Sequence, residues 1–401
     1  MINFIKDFLK TILNLLRAMG DFVVLVLPQM RKMEGFAFLV HPRDISDICR
    51  PYPVFKYLPD KVVLWLVRFL PPITLSRITG IKSVNNGHDI QGWLLSIVLT
   101  PDHIKTDLPL VKKRIKQLSV LAQRKGCSLI GLGALLPFLT RYGKDLEEFT
   151  KCKITTGHAY TVAAIVKDVY ITVEALGIPL ENCTVAIIGA GGSVGSLCAK
   201  TLSKTNGISR LLLVDLMNKQ NKLEFLKSNM EIESNIKVEI GYDLNLLINA
   251  DIAIVVTNAT RTIIEAQMLK RGAIIIDDSQ PRNTSSNLTI VRPDILIVDV
   301  LGSYPNLNCH FNFGLLEDRP DISYTCLIET AILAAHDWKE NFCIGADLDV
   351  DKVKLILDMG NRIGVESEKV ILTSFSKIIS VGDILNNKCA RGKCAYDSFL
   401  S

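Results

Sequence analysis

Val185-Ala186-Ile187-Ile188-Gly189-Ala190-Gly191-Gly192-Ser193-Val194-Gly195 is the stretch on which the fold turns. Its apolar, mostly β-branched start predicts a buried strand. The glycines then permit a sharp turn and a close approach of backbone to a ligand. Leu197, Ala199 and Leu202 follow at helical spacing. A strand, a glycine turn and a helix start together present unpaired N–H groups and a partial positive charge, the usual seat of a pyrophosphate. Gly189, Gly191, Gly192, Ser193, Val194 and Gly195 are therefore the candidate cofactor-binding residues. The next apolar run, Leu211-Leu212-Leu213-Val214, ends in Asp215. An acid at that strand end, about twenty residues past the loop, accepts hydrogen bonds from ribose hydroxyls.

Working outward, apolar runs predict strands at 184–188, 210–214, 236–240, 251–256, 273–277 and 294–299, with helices in most of the gaps. That alternation means a doubly wound parallel α/β sheet, a Rossmann domain over 154–305. After the fourth strand comes Val255-Val256-Thr257-Asn258-Ala259-Thr260. Such a turn faces the crevice of an open parallel sheet, so Asn258 and Thr260 are placed toward the nicotinamide half. The expected cofactor is NADPH or NADH. The carboxylate of Asp215 repels a 2′-phosphate and favours NADH, while Lys219 and Lys222 soften that preference.

Residues 35–153 read as a smaller N-terminal α/β domain. Strands are expected at Phe36–Val40, Trp93–Leu99 and Ser128–Leu132, with a basic helix over 102–125 and the turn Gly131-Leu132-Gly133-Ala134. The stretch 51–75 reads as a short apolar helix bounded by prolines, suited to enclosing an acyl chain, meeting a membrane or plain packing. Residues 1–34 form an N-terminal extension whose first part, 2–19, predicts an amphipathic helix. Ile5, Phe8, Leu9, Ile12, Leu16 and Met19 share one face, with Lys6, Lys10 and Arg17 elsewhere. Such a face suits an anionic membrane surface, the protein's own core or a twin subunit. Residues 306–401 read as a C-terminal helical segment, with helices over 321–340 and 350–363.

Composition bounds the rest. At 401 residues, 48% hydrophobic and 22% charged, the chain is a folded one of two or three domains. A net charge of +5 without long charge blocks does not suggest nucleic acid. The ten cysteines are scattered, and no secretory signal is evident, so reduced thiols and a cytoplasmic setting are expected, with peripheral membrane contact left open. Cys389 and Cys394 are the one close pair and lack the further ligands a metal needs, so none is expected. No apolar run reaches the ~18 residues that span a bilayer.

For chemistry, Cys326 stands near the start of the apolar helix beginning at Asp321, where a helix dipole favours thiolate. A thiolate there can attack a thioester carbonyl, although a buried packing cysteine fits the same pattern. His158, in the turn Thr155-Thr156-Gly157-His158, and His310, after the last Rossmann strand, are candidate acids.

Taken in order, several segments carry a resemblance: Phe36-Ala37-Phe38-Leu39-Val40-His41-Pro42, Gly131-Leu132-Gly133-Ala134, Thr155-Thr156-Gly157-His158-Ala159-Tyr160-Thr161, the Gly189–Gly195 loop, Cys326 in its helix, and Trp338 to Gly345. From about Phe36 to Gly364 the chain resembles the aldehyde-forming long-chain acyl-(acyl carrier protein) reductases and their bacterial relatives. The resemblance implies nicotinamide-dependent reduction of an acyl thioester, on acyl carrier protein or coenzyme A, to an aldehyde, normally with NADPH and with Cys326 as acyl nucleophile. The chain departs from that pattern at His158, where asparagine is usual, at the acidic Asp215, and in its first ~30 residues. The Rossmann part is also similar to shikimate dehydrogenase and glutamyl-tRNA reductase. A shikimate-type dehydrogenase of a small polar substrate and a non-catalytic dinucleotide-binding module remain alternatives.

Overall fold

The structure is a computed structural model, and it describes residues 2–27, 32–234, 236–280, 282–285, 287–309, 320–365 and 371–372. The chain forms two compact units, Met1–Gly157 with Tyr304–Gly345, and His158–Ser303 with Ala346–Ser401. The stretch expected as one C-terminal segment, 306–401, is thus divided between the two.

The first unit is built on a six-stranded sheet in the order Asn308–Cys309, Ile73–Thr79, Gly92–Ser96, Gly35–Val40, Cys127–Leu132, Lys153–Thr155. Gly35–Val40 lies parallel to both neighbours, and Ile73–Thr79 runs antiparallel to Gly92–Ser96. Near-continuous apolar sequence is what strands covered on both faces require. The helix Leu108–Arg124 buries Val111, Ile115, Leu118, Leu121 and Ala122 at helical spacing. The expected single helix over 102–125 is two, Pro101–Thr106 and Leu108–Arg124, because Asp107 leaves helical geometry and Pro109 opens the second. The short apolar helix expected between the prolines of 51–75 is Asp60–Val67, and past Pro71-Pro72 the chain enters a strand, Ile73–Thr79, that was not among the expected ones.

The helix Thr325–Ala335 packs on Cys127–Leu132. Gly131 makes this approach feasible, since a Cβ there would lie 1.9 Å from Oγ1 of Thr330. The helix expected over 321–340 is shorter at both ends, Thr325–Ala335, because Ile322–Tyr324 forms a short strand before it and His336 leaves helical geometry.

The N-terminal helix runs over Ile2–Val26. Its polar stripe, not its apolar one, faces the unit. Thr11, Ala18 and Asp21 are buried, while Ile5, Leu9, Leu16 and Met19 are 50–64% exposed. The polar stripe is bonded throughout. Asn14 donates to the Pro51 carbonyl at 2.6 Å, and Thr11 Oγ1 accepts from Val54 N–H at 3.1 Å. Asp21 accepts from Thr74 N–H at 2.6 Å and pairs with Lys125 at 2.8 Å. The helix thus docks on the protein's own core, one of the expectations above, with Ala18 in that core and Leu15, Val24 and Leu25 packed against it, but it does so by the face opposite the row of Ile5, Leu9, Ile12, Leu16 and Met19.

The second unit is a seven-stranded sheet in the order Ile371–Leu372, Leu296–Asp299, Ile274–Asp277, Ile252–Val255, Thr184–Ile188, Arg210–Val214, Lys237–Gly241. All but the first strand are parallel. The order reverses between Thr184–Ile188 and Ile252–Val255, the switch point of a doubly wound Rossmann sheet. Full helices fill only the first two crossovers, Ser193–Ser203 and Gln220–Glu233. The later ones hold only the short 3-10 helices Leu244–Asn249 and Ala266–Met268 and the single helical turn Leu288–Val291. Among the described residues no helix is long and apolar enough to cross a membrane.

Candidate active site

The glycine loop sits at the switch point, where the backbone explains each glycine. Gly189 has φ +89°, and a Cβ on it would lie 2.8 Å from the Val256 carbonyl oxygen. At Gly195 a Cβ would lie 2.2 Å from the Gly189 carbonyl oxygen, so only glycine lets the helix start this close to the turn. Gly192 precedes the helix Ser193–Ser203, and its carbonyl accepts the first helical bond from Ser196 N–H at 3.0 Å. The amides of Ser193, Val194 and Gly195 belong to the first turn, which has no intrahelical acceptors for its N–H groups. A loop stripped of side chains over such a turn fits a pyrophosphate.

Asp215 ends its strand as expected, but both carboxylate oxygens are engaged locally. Oδ2 accepts from Gly191 N–H at 2.7 Å and Oδ1 from Leu216 N–H at 2.7 Å. The carboxylate holds the loop and keeps lone pairs for a further donor. Lys219 packs beside Gly191, and the Lys222 ammonium is pushed below its usual range by burial and by Lys219. Asn258 is exposed and Thr260 half-buried on the turn after Ile252–Val255. That turn is pinned by Asn283, which sequence reading passed over. The fully buried Asn283 side chain donates to the carbonyls of Ala259 at 2.8 Å and Arg261 at 3.0 Å.

His158 opens the helix His158–Leu176 in this same unit, and its Nδ1 lies 3.1 Å from Ser193 Oγ. Burial pushes its pKa down to about 4, so at neutral pH the ring is uncharged. Burial also holds the carboxyls of Asp168 and Asp278 well above the usual range. Nothing in the local sequence marked these two acids, since their burial depends on the helix covering the sheet.

In the first unit, Cys326 is the second residue of the helix Thr325–Ala335. It rests directly against Gly157. A Cβ on Gly157, whose φ is +79°, would lie 2.2 Å from Cys326 Cβ and 2.4 Å from its Cα. Two motifs far apart in sequence thus meet backbone to backbone. The Gly157 segment is fixed from the other side: Thr156 N–H and Oγ1 both donate to the Cys343 carbonyl, at 3.1 and 2.8 Å. Phe342 N–H donates to the Ile154 carbonyl at 3.0 Å. One turn beyond Cys326, the fully buried Glu329 accepts from Thr155 Oγ1. A lone glutamate in an otherwise apolar helix was the sequence signal for it.

Among the described cysteines only Cys326 and Cys49 are not buried. Burial pushes the thiols of Cys152 and Cys183 up to about 11, and those of Cys127 and Cys198 up as well. His41 is structural: its Nε2 accepts from Leu135 N–H at 3.2 Å, tying the first strand to the turn after the fourth. His310, Cys389 and Cys394 lie outside the described residues.

The fold and the loop define a Rossmann chain that binds a dinucleotide, and comparison with known proteins agrees. Residues 184–299 match the model of the semialdehyde dehydrogenase NAD binding domain. They form an NAD(P)-binding domain of the dehydrogenase and reductase kind, with NADH or NADPH as cofactor. Over most of its length the chain is similar to the long-chain acyl-(acyl-carrier-protein) reductase of Synechococcus elongatus, 24% identical over 335 residues, 80% of this chain and 94% of that protein. It is also similar to aminotransferase PigE of Serratia sp., 25% identical over 341 residues, 82% of this chain but only 39% of that longer protein. Shikimate 5-dehydrogenase of Listeria monocytogenes aligns in structure at 11% identity and a TM-score of 0.34, over 83% of this chain and 99% of that one.

Proposed function

We propose that the protein reduces a fatty acyl thioester, carried on acyl carrier protein or coenzyme A, to an aldehyde. The observation that carries this reading is the seat of Cys326, a cysteine that is not buried, in the first turn of a helix, against the side-chain-free Gly157. The first-turn position favours thiolate. The thiolate attacks the thioester carbonyl, and the carrier thiol leaves as the acyl group passes to Sγ. Gly157 leaves room at Cys326 where any Cβ would collide.

The glycine loop, with Ser193, Val194 and Asp215, would hold the dinucleotide, and Asn258 and Thr260 stand on the turn assigned to its nicotinamide half. A nicotinamide held there would supply the hydride that takes the acyl group to the aldehyde, with Cys326 Sγ leaving as thiolate. His158, uncharged at neutral pH and set against Ser193, positions the head of the loop's helix. Glu329 orients the Cys326 helix through Thr155.

The test is to incubate the protein with a long-chain acyl thioester without cofactor and to look for acyl mass on the Cys326 peptide. Acylation at Cys326, absent in Cys326→Ala and discharged as aldehyde by NADPH or NADH, is the expected result. No acylation across several chain lengths and both carriers would sink the mechanism and turn attention to direct hydride transfer to a small polar substrate.

A further inference from the structure

The N-terminal helix is amphipathic, yet it is docked by its polar stripe. Asp7, Thr11, Asn14, Ala18 and Asp21 recur every three or four residues and face the unit. Asp7 accepts from Tyr57 Oη at 2.9 Å and pairs with Lys56 at 2.7 Å. With the contacts of Asn14, Thr11 and Asp21 already described, this stripe is bonded along its length. The opposite face holds Ile5, Leu9, Ile12, Leu16, Met19 and Val23, every one of them exposed. The apolar surface continues past the helix, because Phe4 packs edge-on against Tyr57 with ring centroids 5.2 Å apart. Scattered exposed apolar residues are ordinary, but a contiguous row of this length marks an interaction site.

We propose that this face lies in the surface of an anionic lipid bilayer. Charge argues for the occupant. At 100° per residue, Lys6, Lys10 and Arg17 fall together on one flank, between the docked stripe and the apolar row. All three are exposed. Both carboxylates of the helix, Asp7 and Asp21, are turned inward and bonded. The outer face therefore offers cations beside an apolar row and no anion. That complements a surface of acidic headgroups over acyl chains. A two-fold pairing of the helix with its copy would set the same cations against each other with no carboxylate on the face to answer them. The bonded inner stripe also holds the helix formed before it meets lipid, so binding need not be preceded by folding. The helix would lie in the interface and not cross it, consistent with the absence among described residues of any helix long and apolar enough to span.

The inference does not rest on the reductase reading, and its test needs neither substrate nor cofactor. The full chain is sedimented with phosphatidylcholine vesicles with and without phosphatidylglycerol. Co-sedimentation with the anionic vesicles, weakened by salt, is expected. Leu9→Glu with Leu16→Glu should weaken it more than tenfold at an unchanged melting temperature, since both side chains are about 60% exposed. Reversal of Lys6, Lys10 and Arg17 to glutamate should abolish the preference for anionic lipid. Failure of the native protein to sediment with anionic vesicles, or equal sedimentation of the Leu9/Leu16 variant, overturns the proposal. A native dimer that the same variant splits, without lipid binding, would identify a second copy as the occupant and overturn it as well.

Discussion

Replacing Gly157 by alanine places a methyl carbon 2.2 Å from Cys326 Cβ and 2.4 Å from its Cα. Non-bonded carbons rest at about 3.5–4.0 Å, so one segment must yield by more than an ångström. The obstacle includes the helix backbone, and no rotamer change relieves it. Alanine at a φ of +79° adds about 1–2 kcal/mol of backbone strain. Overpacking adds about 1–3 kcal/mol. Together the variant should lose about 2–5 kcal/mol. Gly87→Ala is the matched control: its φ is +72°, and a Cβ there meets nothing within 4 Å. It should lose only the strain, about 1–2 kcal/mol. Urea denaturation reads the stabilities, and the acylation rate of Cys326 by a long-chain thioester, followed by peptide mass spectrometry, reads the site. A displacement of about 1 Å at a reacting group costs on the order of a hundredfold in rate. Gly157→Ala should therefore acylate about a hundredfold more slowly while Gly87→Ala acylates normally. Equal stability losses and equal acylation in the two variants would refute the claim that Gly157 exists to seat Cys326.

The buried His158 makes a pH prediction. Its folded pKa of about 4 lies below the ~6.5 of the unfolded chain, so the unfolded state binds the extra proton. Its contribution is complete above the unfolded pKa and is lost as pH falls from about 6.5 toward 4, roughly 2 kcal/mol between pH 7 and 5. Urea melts of the native protein and His158→Asn at the two pH values should differ by that amount, and identical slopes would show that His158 is not the titrating group. For the cofactor, Lys219 and Lys222 stand beside the Gly191–Asp215 contact as the cations to meet a 2′-phosphate. Replacing both by alanine should raise KM for NADPH about tenfold, on the order of 1.4 kcal/mol, and leave that for NADH nearly unchanged. Equal effects on the two cofactors would remove these lysines from that role.

The Rossmann unit was legible because its signals are local. A β-branched run, glycines and an apolar helix start within a dozen or so residues allow one backbone path, and the acid at the next strand end follows from the same unit. The strand Ile73–Thr79 was not legible, since Thr74, Ser76, Arg77 and Thr79 break its apolar run and only three of its seven residues are buried. Cys326 and the turn at Gly157 were each visible as motifs. That one is shaped to receive the other appears only when the helix Thr325–Ala335 crosses the sheet, a contact between distant parts of the chain. Asp215 was found in place, but its bond to Gly191 needs the loop folded over the strand end.

The N-terminal helix separates the two kinds of information most clearly. Periodicity alone determined that residues from Ile5 to Met19 form an amphipathic helix with an apolar face. Which face the protein keeps is a tertiary matter. The bonding partners of its polar stripe lie at Pro51, Val54, Tyr57, Thr74 and Lys125, and only the folded sheet and its flanking segments bring these together along the line of Asp7, Thr11, Asn14 and Asp21. With those polar groups bonded within the protein, the apolar row is left outside.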